Sequence, residues 1–296
     1  MQARIALLPD RGVVSVKGPD AREFLDNLVT NEMALLDGQE AMHAGLLSPQ
    51  GKILFAFFVV RTPAGYLLET GLDQTAALAK RLALYKLRAK VEIADAAGEV
   101  VVLVSQGSVR ARPPGAIAFA DPRSEQLGDR VLIPAPRVGD IVELMGAPRM
   151  LPEVYAASRI RAGVPEAGVD YPLGDTFPHE AGFDLFHGAS FTKGCYVGQE
   201  VVARMQNKTV VRKRIVGITA AQPLTTGSEV RVGEAAIGTV GTAVGREALA
   251  MLRLDRIAEA MGKGHPITAG GVPIDVDPAR MTAYRDSVAE QTSARA

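Results

Sequence analysis

Lys193-Gly194-Cys195-Tyr196-Val197-Gly198-Gln199-Glu200 is the densest run of special residues in the chain. It holds the only cysteine, set between a lysine-glycine pair and a second glycine, just before a short helix read at about Gly198 to Met205. A free cysteine is ordinarily an inert, buried residue. The context argues otherwise. A helix N-terminus and an adjacent lysine both favour the thiolate, which is the reactive and metal-binding form. Cys195 is therefore expected to be partly accessible, with a depressed pKa and with Lys193 as the source of positive charge. Gly194 and Gly198 would let the backbone bend tightly and admit a flat ligand. Tyr196 offers a ring to stack on. Gln199 and Glu200 fall in the first helical turn as loop-fixing residues, and Glu200 also suits the helix dipole.

Moving outward, Pro152 to Arg161 reads as a helix closed by Gly163 and Pro165, and Gly168 to Gly194 as mostly irregular. After Thr209 the texture changes to short apolar runs with glycine-bearing turns: Arg214 to Thr219, Glu229 to Val232, Ile237 to Val244 and Ala248 to Leu254. That pattern predicts a small β barrel or sandwich. Beyond Pro278 the periodicity is lost, and 281–296 reads as a frayed tail. Toward the N-terminus, Ile5 to Leu8 and Val13 to Val16 are strands. Asp20 with Glu23 forms a candidate capping box for the helix carrying Phe24, Leu25, Leu28 and Val29. Ala41 to Leu47, Lys52 to Val60 and Gly65 to Thr70 read as strands, as do Val91 to Ile93 and Val100 to Val104, while Ala111 to Gly128 reads as loop. Gln74 to Arg88 is the clearest helix, with Leu78, Leu82 and Tyr85 at helical spacing. Its other face carries Lys80, Arg81, Lys86 and Arg88, with Lys90 just beyond and no acidic residue between Gln74 and Lys90. This is either a solvated face or a basic wall for an anionic tail or a partner.

The chain has 296 residues, 47% hydrophobic and 22% charged, which excludes wholesale disorder and suits two or three domains. Thirty-three basic and 33 acidic residues leave no net charge, so bulk binding of nucleic acid or an anionic membrane is not expected. One cysteine excludes an intrachain disulfide and a self-contained cysteine-rich metal site, and points to a reducing compartment. Neither a signal peptide nor a run of roughly 18 apolar residues is found, so a cytoplasmic protein is expected. P-loop, dinucleotide-fold, nucleophile-elbow and H-E-x-x-H motifs are missing. His179 and His187 share an irregular segment with Glu180 and Asp184, but satisfied structural histidines are favoured there over a metal site. No metal is expected.

Lys193 to Glu200 fits the pattern K-G-C-[FY]-x-G-Q-E and resembles the YgfZ-type folate-binding proteins. Leu28 to Glu32, Ser48 to Lys52, Leu84 to Ala89 and Arg159 to Pro165 resemble further blocks of that family, in the same order. The family is related to the T protein of the glycine cleavage system, an aminomethyltransferase that uses tetrahydrofolate. The resemblance implies an α+β fold of three domains in a ring around a folate-accommodating cavity. The first domain would comprise 1–47 and 146–207, the second 48–145, and the third, a β barrel, 208–280. It also implies a role in the assembly or repair of iron–sulfur proteins. The implied partners are folate and iron–sulfur apoproteins or cluster carriers, not nucleic acid or membrane, and the chain would act as a monomer.

Departures from the T protein are specific. Phe55 and Ala56 stand where that enzyme has a pair of aspartates, and Arg161 where it has a folate-contacting glutamate. Pro178-His179-Glu180 keeps a P-x-E triplet, and Cys195 stands where an aspartate is common. Phe55 and Ala56 cannot act as a general base, which argues against aminomethyl transfer as the alternative activity. The pterin is expected beside Tyr196, Glu180 and the Gly194–Gly198 loop, in contact with Gln199 and Glu200. Its anionic tail would take Arg161, Lys193 or the basic helix. Cys195 and Lys193 are the candidate chemical residues, Cys195 as a ligand shared with a partner or as a redox thiol, since clusters normally need about three or four ligands. A third reading is a scaffold that binds partners through the basic helix.

Overall fold

The computed structural model describes residues 3–107, 114–208 and 211–277. The expected tail at 281–296 lies outside them. The chain divides into two compact units, Met1–Pro49 with Ile53–Tyr155 and Leu185–Val197, and Gln50–Lys52 with Ala156–Asp184 and Gly198–Ala296.

The first unit is layered. Its strands are β1 (Arg4–Leu7), β2 (Arg11–Lys17), β3 (Ala41–Leu47), β4 (Ile53–Thr62), β5 (Gly65–Gly71), β6 (Glu92–Asp95), β7 (Val100–Gln106), β8 (Ile117–Ala120) and β9 (Asp129–Pro134). They form a five-stranded sheet ordered β3-β4-β5-β2-β6 and a four-stranded sheet ordered β1-β7-β9-β8. The helices are α1 (Ala21–Asp26), α2 (Thr75–Tyr85) and α3 (Val138–Met145). Alternation along the strands assigns the layers. Phe55, Phe57 and Val59 of β4 join Leu25 of α1 and Leu78 and Leu82 of α2 in one core. Phe58 and Val60 point the other way and meet Phe119 and Leu132 of the second sheet. β4 is thus buried on both faces, which is why Ile53 to Val60 reads as an unbroken apolar run. On the far side of the second sheet, Leu103, Val131 and Ile133 pack with Ile141 and Met145 of α3.

Three expectations change here. The boundary expected between residues 47 and 48 falls inside a hairpin: β3 and β4 pair from Ala41↔Val60 to Leu47↔Ile53. The same sheet takes β2 and β3 from one side of that boundary and β4, β5 and β6 from the other. Asp20 precedes α1 without capping it. Its carboxylate accepts instead from the Lys90 main-chain N–H at 2.6 Å, fastening the end of the α2 segment. The region read as loop before Gly128 contains β8.

The second unit contains α4 (Pro152–Ala162, from Ala156 on), α5 (Gln199–Lys208) and a closed barrel. The barrel strands are β10 (Lys213–Ala220), β11 (Glu229–Val232), β12 (Ala235–Val244), β13 (Glu247–Arg253), β14 (Ile267–Ala269) and β15 (Val272–Val276), ordered β10-β13-β12-β11-β14-β15. Closure removes every free strand edge. Helix α6 (Leu254–Lys263) sets Ile257 and Ala260 into the barrel core beside Val216, Val230, Ala250 and Leu252. Arg159 of α4 ties this unit together. It donates to the Asp170 carboxylate at 3.1 Å, the Val164 carbonyl at 3.0 Å and the Thr242 hydroxyl at 3.0 Å. Asp170 in turn accepts from the main-chain N–H groups of Glu166 and Thr242, each at 2.6 Å. No helix among the described residues is long and apolar enough to cross a membrane.

Candidate functional site

Cys195 is exposed. What fixes it is a polar framework supplied by the segment after α1. Thr30 and Asn31 are buried polar residues. The Thr30 hydroxyl donates to the Gly188 carbonyl at 2.6 Å and accepts from Gly45 N–H at 2.8 Å. The Asn31 amide donates to the carbonyls of His187, at 2.7 Å, and His43, at 3.0 Å. Glu32 accepts from the hydroxyls of Ser190 and Thr192, and Ser190 Oγ accepts from Lys193 N–H at 3.0 Å. Residues 187 to 193 are therefore held, bond by bond, against residues 30 to 32. These positioning residues escaped the sequence reading as individuals. The available signal was a Thr-Asn-Glu triplet directly after the apolar Leu28-Val29.

Lys193 completes the framework and corrects an expectation. Its side chain is 3% exposed. Its ammonium donates to the main-chain carbonyls of Asp26 at 2.6 Å, Asn31 at 2.9 Å and Val29 at 3.0 Å, with Asp26 Oδ1 at 3.5 Å. Asp26 ends α1, where carbonyls lack intrahelical partners and the dipole is negative, so a lysine suits that place. Burial pushes the Lys193 pKa down, partly offset by Asp26. The cation is thus committed to the end of α1, as a clasp, rather than to the cysteine two residues on. The helix expected at about Gly198 is present as α5, beginning at Gln199.

Tyr196 is also placed differently. It is buried, and the Lys193 ammonium sits 5.4 Å from its ring centroid. Its hydroxyl is buried without a hydrogen-bond partner among the described residues, and burial pushes its pKa up to about 12. The ring is a packed residue, not an open stacking platform. Gly194 has room for a side chain and no left-handed φ, so the bend does not require glycine there. Gly198 does carry such a conformation, with φ of +83°, immediately before α5. Gly51 is constrained twice, by a φ of +77° and by Val201 of α5, whose Cβ would lie 2.7 Å from an added side chain. Glu200 is solvent-exposed and pairs with Arg204 at 3.2 Å, one turn on. Gln199 is half-buried.

The remaining candidates lie in the second unit. Glu180 borders a cleft of about 640 Å³, together with Asp170, Asp175, Lys213, Arg253 and the floor strand β12. One Glu180 oxygen accepts from Phe177 N–H at 2.9 Å. Arg161 is largely exposed and pairs with Glu247 at 3.1 Å. His179 is buried with Nε2 2.8 Å from Gln206 Oε1, and burial lowers its pKa. Arg214 takes the Asp184 carboxylate with two bonds, at 2.6 and 2.7 Å. His187 belongs to the other unit, and among the described residues no group of three or more His, Cys, Asp or Glu side chains is placed to hold a metal.

Residues 212–283 match the family described as CAF17, C-terminal beta-barrel domain. The chain is 34% identical over 231 residues to the mitochondrial iron–sulfur cluster assembly factor IBA57 homolog of Mycosarcoma maydis, covering 73% of this chain and 57% of that protein. It is 32% identical over 269 residues to human mitochondrial iron–sulfur cluster assembly factor IBA57, covering 81% of this chain and 72% of that protein. The chain belongs to the IBA57-type iron–sulfur cluster assembly factors. It spans little more than half the length of the fungal relative. The glycine cleavage system aminomethyltransferase T from Bartonella henselae shares the fold, with a TM-score of 0.73 over 93% of this chain and 85% of that one, at 16% identity. The expected α+β architecture with a C-terminal barrel is therefore the one present.

Two expectations are revised by these relatives. The YgfZ-type resemblance narrows to the IBA57 type within the same fold family. The cytoplasmic expectation is overturned, because the human, mouse and fungal relatives are mitochondrial proteins. A lone cysteine reports on redox poise, and redox poise does not separate one reducing compartment from another.

Proposed function

We propose that this chain serves the assembly or repair of iron–sulfur proteins, presenting the Cys195 sulfur to a cluster carried by a partner. Membership in the IBA57 type is the observation that carries the reading. An exposed cysteine on a segment anchored by Lys193 and Glu32 is consistent with it. A cluster normally needs about three or four ligands. The chain has one cysteine, so the others come from an apoprotein or cluster carrier, and the cluster is cargo. The chain acts as a monomer in this reading, with no part for nucleic acid or membrane. Cells lacking their own IBA57-type factor should recover iron–sulfur enzyme activity when supplied with this chain. No recovery, with the chain accumulating to normal levels, would refute the reading.

Tetrahydrofolate binding is a second, finer reading, and the residue set first expected does not fit it. Tyr196 is buried beneath Lys193, Lys193 is committed to main-chain carbonyls, and Arg161 pairs with Glu247. What supports the reading is Glu180 on a cleft whose volume falls within the usual range for small-molecule sites, with Lys213 on its lining for an anionic tail. Calorimetric titration of the pure chain with tetrahydrofolate is expected to give one site, weakened about tenfold or more in Glu180→Gln through loss of a charge-assisted hydrogen bond. Equal affinity in the two proteins would remove folate from the cleft. Phe55 and Ala56 offer no titratable group, and aminomethyl transfer is not proposed.

A further inference from the structure

The basic face of α2 and the turn after it form a surface that the reading above does not use. Lys80, Arg81, Lys86, Arg88 and Lys90 are all exposed, and none makes an ion pair among the described residues. The Asp20 carboxylate is engaged by the main-chain N–H of Lys90, not by its ammonium. Amid these cations stand two leucines. Leu84 is 66% exposed and Leu87 is 91% exposed. Leu87 also holds a φ of +42°, a conformation that L residues with branched side chains avoid. The chain as a whole is neutral, so five unpaired cations within eleven residues are a local concentration.

We propose that this surface docks an acidic protein segment that covers Leu84 and Leu87 with apolar side chains and meets the surrounding cations with carboxylates. An apolar centre with a charged rim is the usual anatomy of a protein interface, and opposite charge on the partner speeds encounter and fixes orientation. A lipid surface fits less well. The apolar stripe of α2, Leu78 and Leu82, is already spent in the core, so no continuous apolar face is left to insert. Nucleic acid fits less well too, since the patch sets leucines where a stacking aromatic would serve; Tyr85 packs against the core.

The test uses the full chain and a labelled synthetic peptide of glutamates with leucines at helical spacing, read by fluorescence anisotropy. The peptide is expected to bind, more weakly as salt rises. Lys80→Glu, Arg81→Glu and Lys86→Glu together should weaken it at least about tenfold, and Leu84→Ser with Leu87→Ser several-fold, as for loss of rim charges and central anchors. All five side chains are exposed, so thermal midpoints should not move, and a circular dichroism melt of each variant checks this. Undetectable peptide binding overturns the proposal. So does an affinity that the charge reversal changes by less than about twofold, below the effect of a single interfacial charge. Tighter, variant-sensitive binding of poly(U) RNA or of phosphatidylserine vesicles would likewise overturn it, in favour of those ligands.

Discussion

Replacing Cys195 with serine is expected to reduce rescue of iron–sulfur enzyme activity to the level of cells without the chain, while leaving the protein as abundant and as stable as before. The two halves of this outcome follow from different facts. The sulfur is exposed, so exchanging it for an oxygen of similar size removes little packing, and surface substitutions of this kind usually stay within about 0.5 kcal/mol. Its loss is nevertheless decisive for cluster handling, because a neutral hydroxyl is a hard, poor ligand for iron–sulfur clusters, which are held by thiolates. No other cysteine exists to substitute for it. The measurement pairs enzyme activity with chain abundance and a thermal melt of the purified variant. Full rescue by the serine protein at equal abundance would show that the exposed cysteine is incidental to the family's work. Reduced abundance with a lowered melting point would show that Cys195 is a packing residue, contrary to its exposure.

The anchoring of this cysteine shows where a sequence is legible and where it stops being so. α2, α4, α5 and most barrel strands were readable from period and glycine placement, because those signals are local. α6 was not read, although Leu254, Ile257 and Ala260 carry helical spacing. It follows β13 without an intervening turn residue, so the run Ala248 to Leu254 read as one strand to its end. The clasp of Lys193 is a different kind of failure. Its three carbonyl partners lie 162 to 167 residues earlier, and nothing near Lys193 encodes them. Local reasoning assigned the charge to its sequence neighbour, Cys195, while tertiary structure assigns it to the end of α1. Tyr196 fails for the same reason, since burial is a property of what arrives from elsewhere in the chain. The boundary at 47/48 fails because pairing between β3 and β4 is recorded in neither strand alone.

Glu69→Ala should destabilise the first unit by about 3–5 kcal/mol, the usual cost of removing one partner from a buried ion pair. Glu69 on β5 is fully buried in the layer between the two sheets, and Arg130 reaches it from β9. Arg130 Nη1 donates to both carboxylate oxygens, at 2.9 and 3.0 Å, and Arg11 Nε donates to one of them at 2.5 Å. Arg130 also donates to the Tyr155 hydroxyl at 2.9 Å, and Arg123 holds Asp121 through bonds of 2.8 and 3.0 Å. Three guanidinium groups therefore share two carboxylates inside the protein. Removing Glu69 strands charge that water cannot reach, whereas Glu69→Gln keeps an acceptor and should cost less than alanine. The pH dependence has a fixed sign. Burial acts to raise the Asp121 pKa, but Arg123 and Arg130 outweigh it and hold the carboxyl well below the ordinary range. A group depressed in this way stabilises the fold above its unfolded pKa of about 4 and loses that contribution as the pH falls further. Urea unfolding followed by far-ultraviolet circular dichroism, at pH 7 and again below pH 4, measures both effects. A cost below about 1 kcal/mol for Glu69→Ala, the range of an exposed pair, would mean that the sheets are joined by their apolar contacts alone.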